Sequence, residues 1–384
     1  MPFAFKKIEL SYRLAHRNFN DFALPPDGRL VSVLLFFFFR TFATLNADRK
    51  MKRHYTIPVF VPEMACPYRC TYCNQYNIAG KAVAPPPGEV RNIIDTYLRT
   101  FPSDSIRKVG FFGGSFTGIS IEKQNQYLSV VQPYIKAGQI HEIQLSTRPD
   151  YISPEILENL KKHHVRTIEL GAQSLDDEVL RRSNRGHTVE DVQCAADMIL
   201  QEGFDLGLQM MIGLPGDTFE KSMRTAALFA EMGARYTRIY PTLVIKDTDL
   251  EKLYNIGEYT PLSMEEAVRW CKELLKFFEE RQITILRTGL HPSEGLLDGS
   301  NLVAGPFHVS FKELVMTALW QDILQQALSG QQGESITIRV SPTQLNFAIG
   351  HKSANKKMLL SQFEKVFFLG DEKLTGYQTK ISCK

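Results

Sequence analysis

The sequence predicts an α/β fold: a parallel, barrel-type sheet wrapped by helices, followed by a small α+β region. Three observations predict it. From Tyr55 onward, short apolar runs alternate with stretches of helical period, the pattern of strand–helix units around a parallel sheet. Residues able to do chemistry fall at the carboxyl ends of those runs, where parallel barrels gather their sites. And 384 residues, 43% hydrophobic and 23% charged, suffice for one large core with smaller additions.

The first fifty residues differ from the rest. Val31–Phe39 reads VSVLLFFFF and stops at Arg40. Nine apolar residues are far short of the roughly 20 that span a bilayer. A signal peptide fits poorly, because a long segment precedes the run and no small-residue cleavage site follows. The pattern changes at Met51, so 1–50 reads as an extension outside the native protein, with an extra hairpin or helix as the alternative. N-terminal sequencing of the native protein decides between them.

Six strands are expected at Thr56–Val61, Lys108–Phe112, Glu142–Thr147, Thr167–Gln173, Leu206–Ile212 and Tyr236–Val244. A further run, Thr284–Gly289, either extends the sheet or leads out of it. Helices are expected between them at Ile121–Ile135, Pro154–His163, after Thr188, at Phe219–Met232 and at Met264–Arg281. Thr188 is a plausible N-cap, and Val189, Val192, Ala196, Ile199 and Leu200 follow at helical spacing. Beyond the barrel, Phe311–Leu328 reads as a helix and Ser335–Val340, SITIRV, as a strand. The expected division is 1–50 extension, 51–290 barrel, 291–333 helical connection and 334–384 a small basic module.

Six cysteines occur, and only Cys66, Cys70 and Cys73 cluster, which suits a reducing compartment and no disulfide framework. Their spacing is C-x₃-C-x₂-C. Three thiolates so close in sequence can hold three irons of a cubic four-iron cluster. A full set is four, so one iron stays open to a small molecule. Structural zinc is the alternative; it wants four ligands, and the nearest histidine, His54, precedes the loop. A disulfide would strand one thiol.

The cysteine run resembles the signature of the radical S-adenosylmethionine (radical SAM) superfamily. That resemblance implies a partial (β/α)₆ barrel of TIM type, a 4Fe–4S cluster and S-adenosylmethionine as cosubstrate. The cosubstrate would chelate the open iron and be cleaved reductively to a 5′-deoxyadenosyl radical. It also assigns strand ends. Gly113, Gly114 and Ser115 after strand two would meet the methionine amino group. Ser146 after strand three could bond the ribose, and Arg148 could fork a carboxylate or phosphate. On strand four, Glu169 or Gln173 would point inward, with Gln173 taken as the cosubstrate contact. Arg185 is the candidate for the methionine carboxylate. The turn Gly213-Leu214-Pro215-Gly216-Asp217 resembles the adenine-contacting turn. Tyr240, Pro241 and Lys246 are placed at the substrate mouth, with surface solvation the alternative for Lys246.

The pieces GGSFTG, STRPDYI, ELGAQS, NRGHT, MIGLPGDT and YPTLVIKDT, in this order, resemble the radical SAM domain of the Elongator catalytic subunit and its bacterial relatives. That family modifies transfer RNA, which implies an RNA substrate and, for the cluster, an electron donor such as flavodoxin or ferredoxin. The cysteine usage and an exposed reducible cluster point to a cytoplasmic setting, and no membrane contact is expected. Fewer than a hundred residues follow Gly289, with no acetyltransferase-type glycine turn among them, so acetyl-CoA chemistry is not expected.

Net charge is only +3, but residues 1–50 and 334–384 carry +4 each, leaving −5 between them. Basic flanks permit RNA contact without proving it. Gln344–Lys357 resembles the helix–GXXG–helix core of a KH domain, with Ser353 at the second glycine. Lys352, Lys356 and Lys357 would then meet phosphates; a plain basic helix start is the alternative. Two rival functions remain. One is radical chemistry on a small molecule, as in coproporphyrinogen oxidases, although Gln75 stands where that branch has a fourth cysteine. The other is a non-catalytic iron–sulfur RNA-binding protein.

Overall fold

Strands β1 (His54–Val61), β2 (Ile106–Gly113), β3 (Glu142–Thr147), β4 (Val165–Gln173), β5 (Asp205–Ile212) and β6 (Tyr236–Pro241) lie side by side in chain order. A two-residue strand, β7 (Val244–Ile245), leaves this sheet, and β8 (Thr284–Thr288) rejoins it beside β6. Every pairing in the seven-stranded sheet is parallel. β1 and β8 are its two edges, so the sheet is a curled half-barrel. The computed structural model describes residues 53–62, 70–74, 77, 83–328 and 331–384. Cys66 and the extension expected over 1–50 lie outside them.

The strand alternation explains the layers. Ile57, Val59, Phe111, Ile143, Leu145, Ile168, Leu170, Leu206 and Leu208 are fully buried under the helices. The intervening positions, among them Gln144, Ser146, Glu169, Gln209 and Arg238, face the other side, as the period of two requires. The outer helices are α1 (Pro87–Leu98), α2 (Ile121–Lys136), α3 (Pro154–Lys162), α5 (Val189–Gln201), α6 (Phe219–Glu231) and α8 (Met264–Glu280), while the short α4 (Asp177–Arg182) and α7 (Asp249–Asn255) pack through Val179 and Leu250 against Cys70 and Tyr72. Thr188 caps α5 in a reciprocal box with Asp191, and Ser263 does the same for α8 with Glu266. Ala267, Trp270, Cys271, Leu274 and Phe278 form the buried stripe of α8.

Two details differ from the expectation. The sixth strand stops at Pro241, because Thr242 turns back and gives its amide and hydroxyl to the Ile212 carbonyl at 3.0 and 2.8 Å. Val244 and Ile245 then pair antiparallel with β9 (Leu302–Ala304). The run at Thr284 extends the sheet rather than leaving it, giving seven strands to six complete units.

After α9 (Glu294–Leu297), helix α10 (Phe311–Ala327) packs along α8; Lys272 and Lys276 both reach Asp322, at 2.6 and 3.1 Å. The tail is β10 (Ser335–Val340), α11 (Leu345–Ile349), α12 (Ala354–Leu360), β11 (Lys365–Gly370) and β12 (Thr379–Cys383). β10 is central, parallel to β11 and antiparallel to β12. Trp320 of α10 is fully buried, and its ring N–H donates to Gln344 at 3.1 Å. Residues His54–Lys384 form one contact unit. Among the described residues, no helix is long and apolar enough to cross a membrane.

Candidate functional site

The described half of the cysteine loop is a tight turn, with the Cys73 amide on the Cys70 carbonyl at 3.0 Å. It is tied down from two directions. Thr71 gives its amide and hydroxyl to the Ser183 carbonyl at 3.1 and 3.3 Å, at the end of α4. Its own carbonyl accepts from the Leu250 amide at 2.7 Å. Downstream, Asn74 and Asn77 both donate side-chain N–H groups to the Lys246 carbonyl, at 3.3 and 3.0 Å. Lys246, expected at the substrate mouth, thus serves the loop through its backbone.

Arg185 connects this turn to the barrel. One guanidinium nitrogen donates to Cys70 Sγ at 3.4 Å and another to the Gly171 carbonyl at 2.6 Å. Burial works against its charge, but Tyr72, Cys70 and Cys73 around it outweigh that and keep it protonated. The Tyr72 phenol is pushed well up, first by burial and then by Cys70.

Strand four bulges between Leu170 and Gln173, and Gln173 takes a left-handed conformation at φ 68°. A Cβ on Gly171 would sit 2.9 Å from both Arg185 Nη2 and Gln173 Nε2, so glycine is required for the two side chains to lie there. At the end of β2, Gly113 has φ 110°, and a Cβ would press on the Val61 carbonyl at 3.2 Å. The Gly114 amide donates to the same carbonyl at 2.8 Å. Ser115 is buried at the start of the short turn Phe116–Gly118. Thr117 and Thr147 share a 2.6 Å hydroxyl bond that ties the ends of β2 and β3. Ser146 is half-buried, in register with Glu169.

Arg148 departs from expectation. It is 2% exposed, and its fork closes on Asp150 at 2.8 and 2.9 Å, so it is not presented to a ligand carboxylate. Nearby His187 is buried with Nε2 3.3 Å from the Ala172 carbonyl. Burial, aided by the Arg185 and Arg148 cations, pushes its imidazole down to about 3.

The turn after β5 is built from left-handed Gly213 and Gly216. Asp217 accepts from the Gly213 amide and the Ser222 hydroxyl, both at 2.8 Å. Burial pushes its carboxyl up to about 6 against the opposing pull of those bonds. Tyr259 donates to the Gly213 carbonyl at 2.6 Å.

Sequence reasoning missed the polar network across the barrel's inner face. Glu169 is 1% exposed, accepts from Arg238 Nη2 at 2.9 Å and from Gln209 at 3.0 Å, and also pairs with Arg238 Nε. Arg238 lies over the Phe112 ring at 4.8 Å. The only advance signal was polar residues at inward positions of consecutive strands. Lys352, Lys356 and Lys357 lie elsewhere, at the α11–α12 turn. Lys352 and Lys357 flank an open groove of about 460 Å³ with Met264, Val268, Leu314 and Ala318.

Cys70, Arg185, Gly171 and Gln173 therefore converge, with Gly113–Ser115 and Ser146 on the adjoining strand ends. The donor set fits a thiolate-held iron–sulfur group with an amino-acid-bearing cosubstrate. Thiols sit beside a buried cation, while Gln173 Oε1 and Arg185 Nε are buried without a protein partner. No group of three metal-ligating side chains occurs among the described residues, of which Cys66 is not one.

Comparison with known proteins agrees. Residues 64–229 match the model of the radical SAM superfamily and 234–321 that of the Radical_SAM C-terminal domain. The chain is 26% identical over 257 residues to a tRNA uridine(34) acetyltransferase of Methanocaldococcus infernus, covering 55% of this chain and 47% of the relative. It is 34% identical over 136 residues to Elongator complex protein 3 of Saccharomyces cerevisiae, 35% of this chain and 24% of that one. The solved Methanocaldococcus infernus Elp3, lacking its first 46 residues, superposes with TM-score 0.56 at 22% identity, over 73% of this chain and 64% of that chain. The chain spans about half the length of the first of these relatives or less. Strand order and matched segments lead to one assignment: the chain carries a radical SAM domain followed by a Radical_SAM C-terminal domain, of the superfamily whose cofactors are a 4Fe–4S cluster and S-adenosylmethionine.

Proposed function

We propose that this chain is a radical SAM enzyme that modifies RNA, with transfer RNA as its substrate. The observation that supports it best is Arg185, a buried cation held between the Cys70 sulfur and the Gly171 carbonyl. Cys66, Cys70 and Cys73 would hold the cluster. Gly113, Gly114, Ser115, Ser146, Gln173 and Arg185 would hold the cosubstrate. The bound cluster supplies one electron for reductive cleavage of S-adenosylmethionine, the superfamily's source of a 5′-deoxyadenosyl radical.

The protein's own part is positioning and exclusion. Arg185 offsets thiolate charge and keeps a donor aimed into the site. Gln173 offers an acceptor from a bulge that turns it inward. The glycines let backbone approach a ligand. Arg148 acts one step back, fixing Asp150 and adding to the field that keeps His187 neutral. Transfer RNA as substrate is supported by the relatives' activity on tRNA uridine and by the basic tail. In that tail Gly350, Lys352 and Ser353 have φ of 88°, 50° and 60°, a sharp turn that leaves Lys352 exposed between two short helices. Lys352, Lys356 and Lys357 would meet phosphates there. A small reductant such as flavodoxin or ferredoxin would serve in the cytoplasm.

Anaerobic reconstitution, reduction and addition of S-adenosylmethionine test the class: 5′-deoxyadenosine must form, and Cys70→Ala must abolish it. Comparing modified nucleosides of transfer RNA from cells with and without the protein tests the substrate. An unchanged nucleoside profile refutes the RNA reading while leaving the radical class intact.

A further inference from the structure

The open side of the half-barrel has a feature that the cluster and cosubstrate do not use. β1 and β8 are the free edges of the sheet. Phe60, the penultimate residue of β1, faces His291, three residues past the end of β8. Their rings lie within 7° of parallel with centroids 6.4 Å apart. No backbone bond joins these edges, so two flat rings, one of them exposed, stand across the gap at the carboxyl ends of the strands.

Beside them is Arg287, on the inner face of β8 in register with Arg238. The two arginines share a wall with one carboxylate, Glu169, which Arg238 and Gln209 already occupy. Arg287 itself donates to the Gly289 and Leu290 carbonyls at 3.0 and 3.2 Å and contacts His291 Nδ1 at 3.3 Å. It has no carboxylate partner among the described residues. Burial, opposed by Tyr240 and reinforced by Arg238, lowers its pKa. A half-buried guanidinium in an arginine-rich wall is costly unless an anion completes it. Bases are recognised by stacking on aromatic and guanidinium planes, and their phosphates by cations.

We propose that Phe60, His291 and Arg287 form a nucleotide station at the open edge of the half-barrel, the rings stacking a base of the RNA and the guanidinium taking its phosphate. The station rests on the RNA reading above and adds where a nucleotide enters. It places the reacting nucleotide at the carboxyl end of β1.

The test uses the full-length reconstituted protein and an anticodon stem–loop RNA with uridine at the wobble position, followed by fluorescence anisotropy over a salt series. Arg287→Gln is expected to weaken binding about tenfold and to lower the slope of log K against log salt by about one. His291→Ala, on an exposed loop position where folding is not at stake, is expected to weaken binding about fivefold or more. The His291→Ala loss should shrink when the wobble nucleotide is made abasic. If the unaltered protein binds this RNA and both variants bind it equally well with unchanged slopes, the station is refuted and the RNA reading stands. If the unaltered protein does not bind it, the station and the RNA reading fall together.

Discussion

Arg185 bridges a sulfur and a backbone carbonyl with two separate nitrogens of one rigid, planar fork. Arg185→Lys keeps the charge but loses one arm; we expect at least a tenfold fall in 5′-deoxyadenosine formation with iron content retained, read by product chromatography and iron analysis. Two buried titrating groups make opposite contributions to acid stability. His187 has a folded value of about 3 against 6.5, so the unfolded chain binds the extra proton and stability is lost as pH falls below about 6.5. Asp217 has a folded value of about 6 against 3.8, so the folded chain binds the proton more tightly and stability falls as pH rises from about 4 to 6. In denaturant melts between pH 4 and 7, His187→Gln should flatten the loss on acidification. Asp217→Asn should steepen it by removing the opposing term. Identical profiles for both variants and the parent would contradict these assignments.

The turn between α11 and α12 puts two consecutive non-glycine residues, Lys352 and Ser353, in the left-handed region. Ser353 takes φ 60°, ψ 31°, where a side chain costs about 1 kcal/mol or more relative to glycine. Asn355, fully buried, holds the turn by donating to the Thr317 and Ala348 carbonyls at 3.1 and 3.2 Å. Ser353→Gly should therefore raise stability by about 1 kcal/mol in a denaturant melt. Much at this scale was legible in the sequence. Thr188 announced α5, the SITIRV run announced β10, and the apolar runs announced the parallel strands, because caps and side-chain periods are local. The end of β6 was not legible, since Val244 looks like one more apolar residue until Leu302–Ala304 arrives from far along the chain to pair with it. The Glu169–Arg238 pair was hidden for the same reason: 69 residues separate its members, and only the strand register brings them together. Arg148 misled in the other direction. Its partner, Asp150, is two residues away and was read as part of a motif rather than as the acid that closes its fork.

In the molecule as a whole, α10 joins the barrel to the tail. Trp320 fills that joint, fully buried, edge-on to Tyr377 at 5.9 Å and bonded to Gln344. Trp320→Ala should cost about 3–5 kcal/mol and loosen the tail, seen as faster hydrogen exchange across β10 to β12. If the tail holds RNA phosphates, Lys352→Glu with Lys356→Glu should reduce transfer-RNA affinity at low salt about tenfold or more and reduce the salt slope by about two. An unchanged affinity would remove the tail from the binding surface.

The Lys246 carbonyl, which receives both Asn74 and Asn77, makes the segment leaving β6 a latch on the cysteine loop. Whatever enters the mouth and shifts that segment would also tug on the residues just downstream of Cys73. If the loop holds the proposed cluster, a ligand at the β6 end and the seating of that cluster would be mechanically coupled.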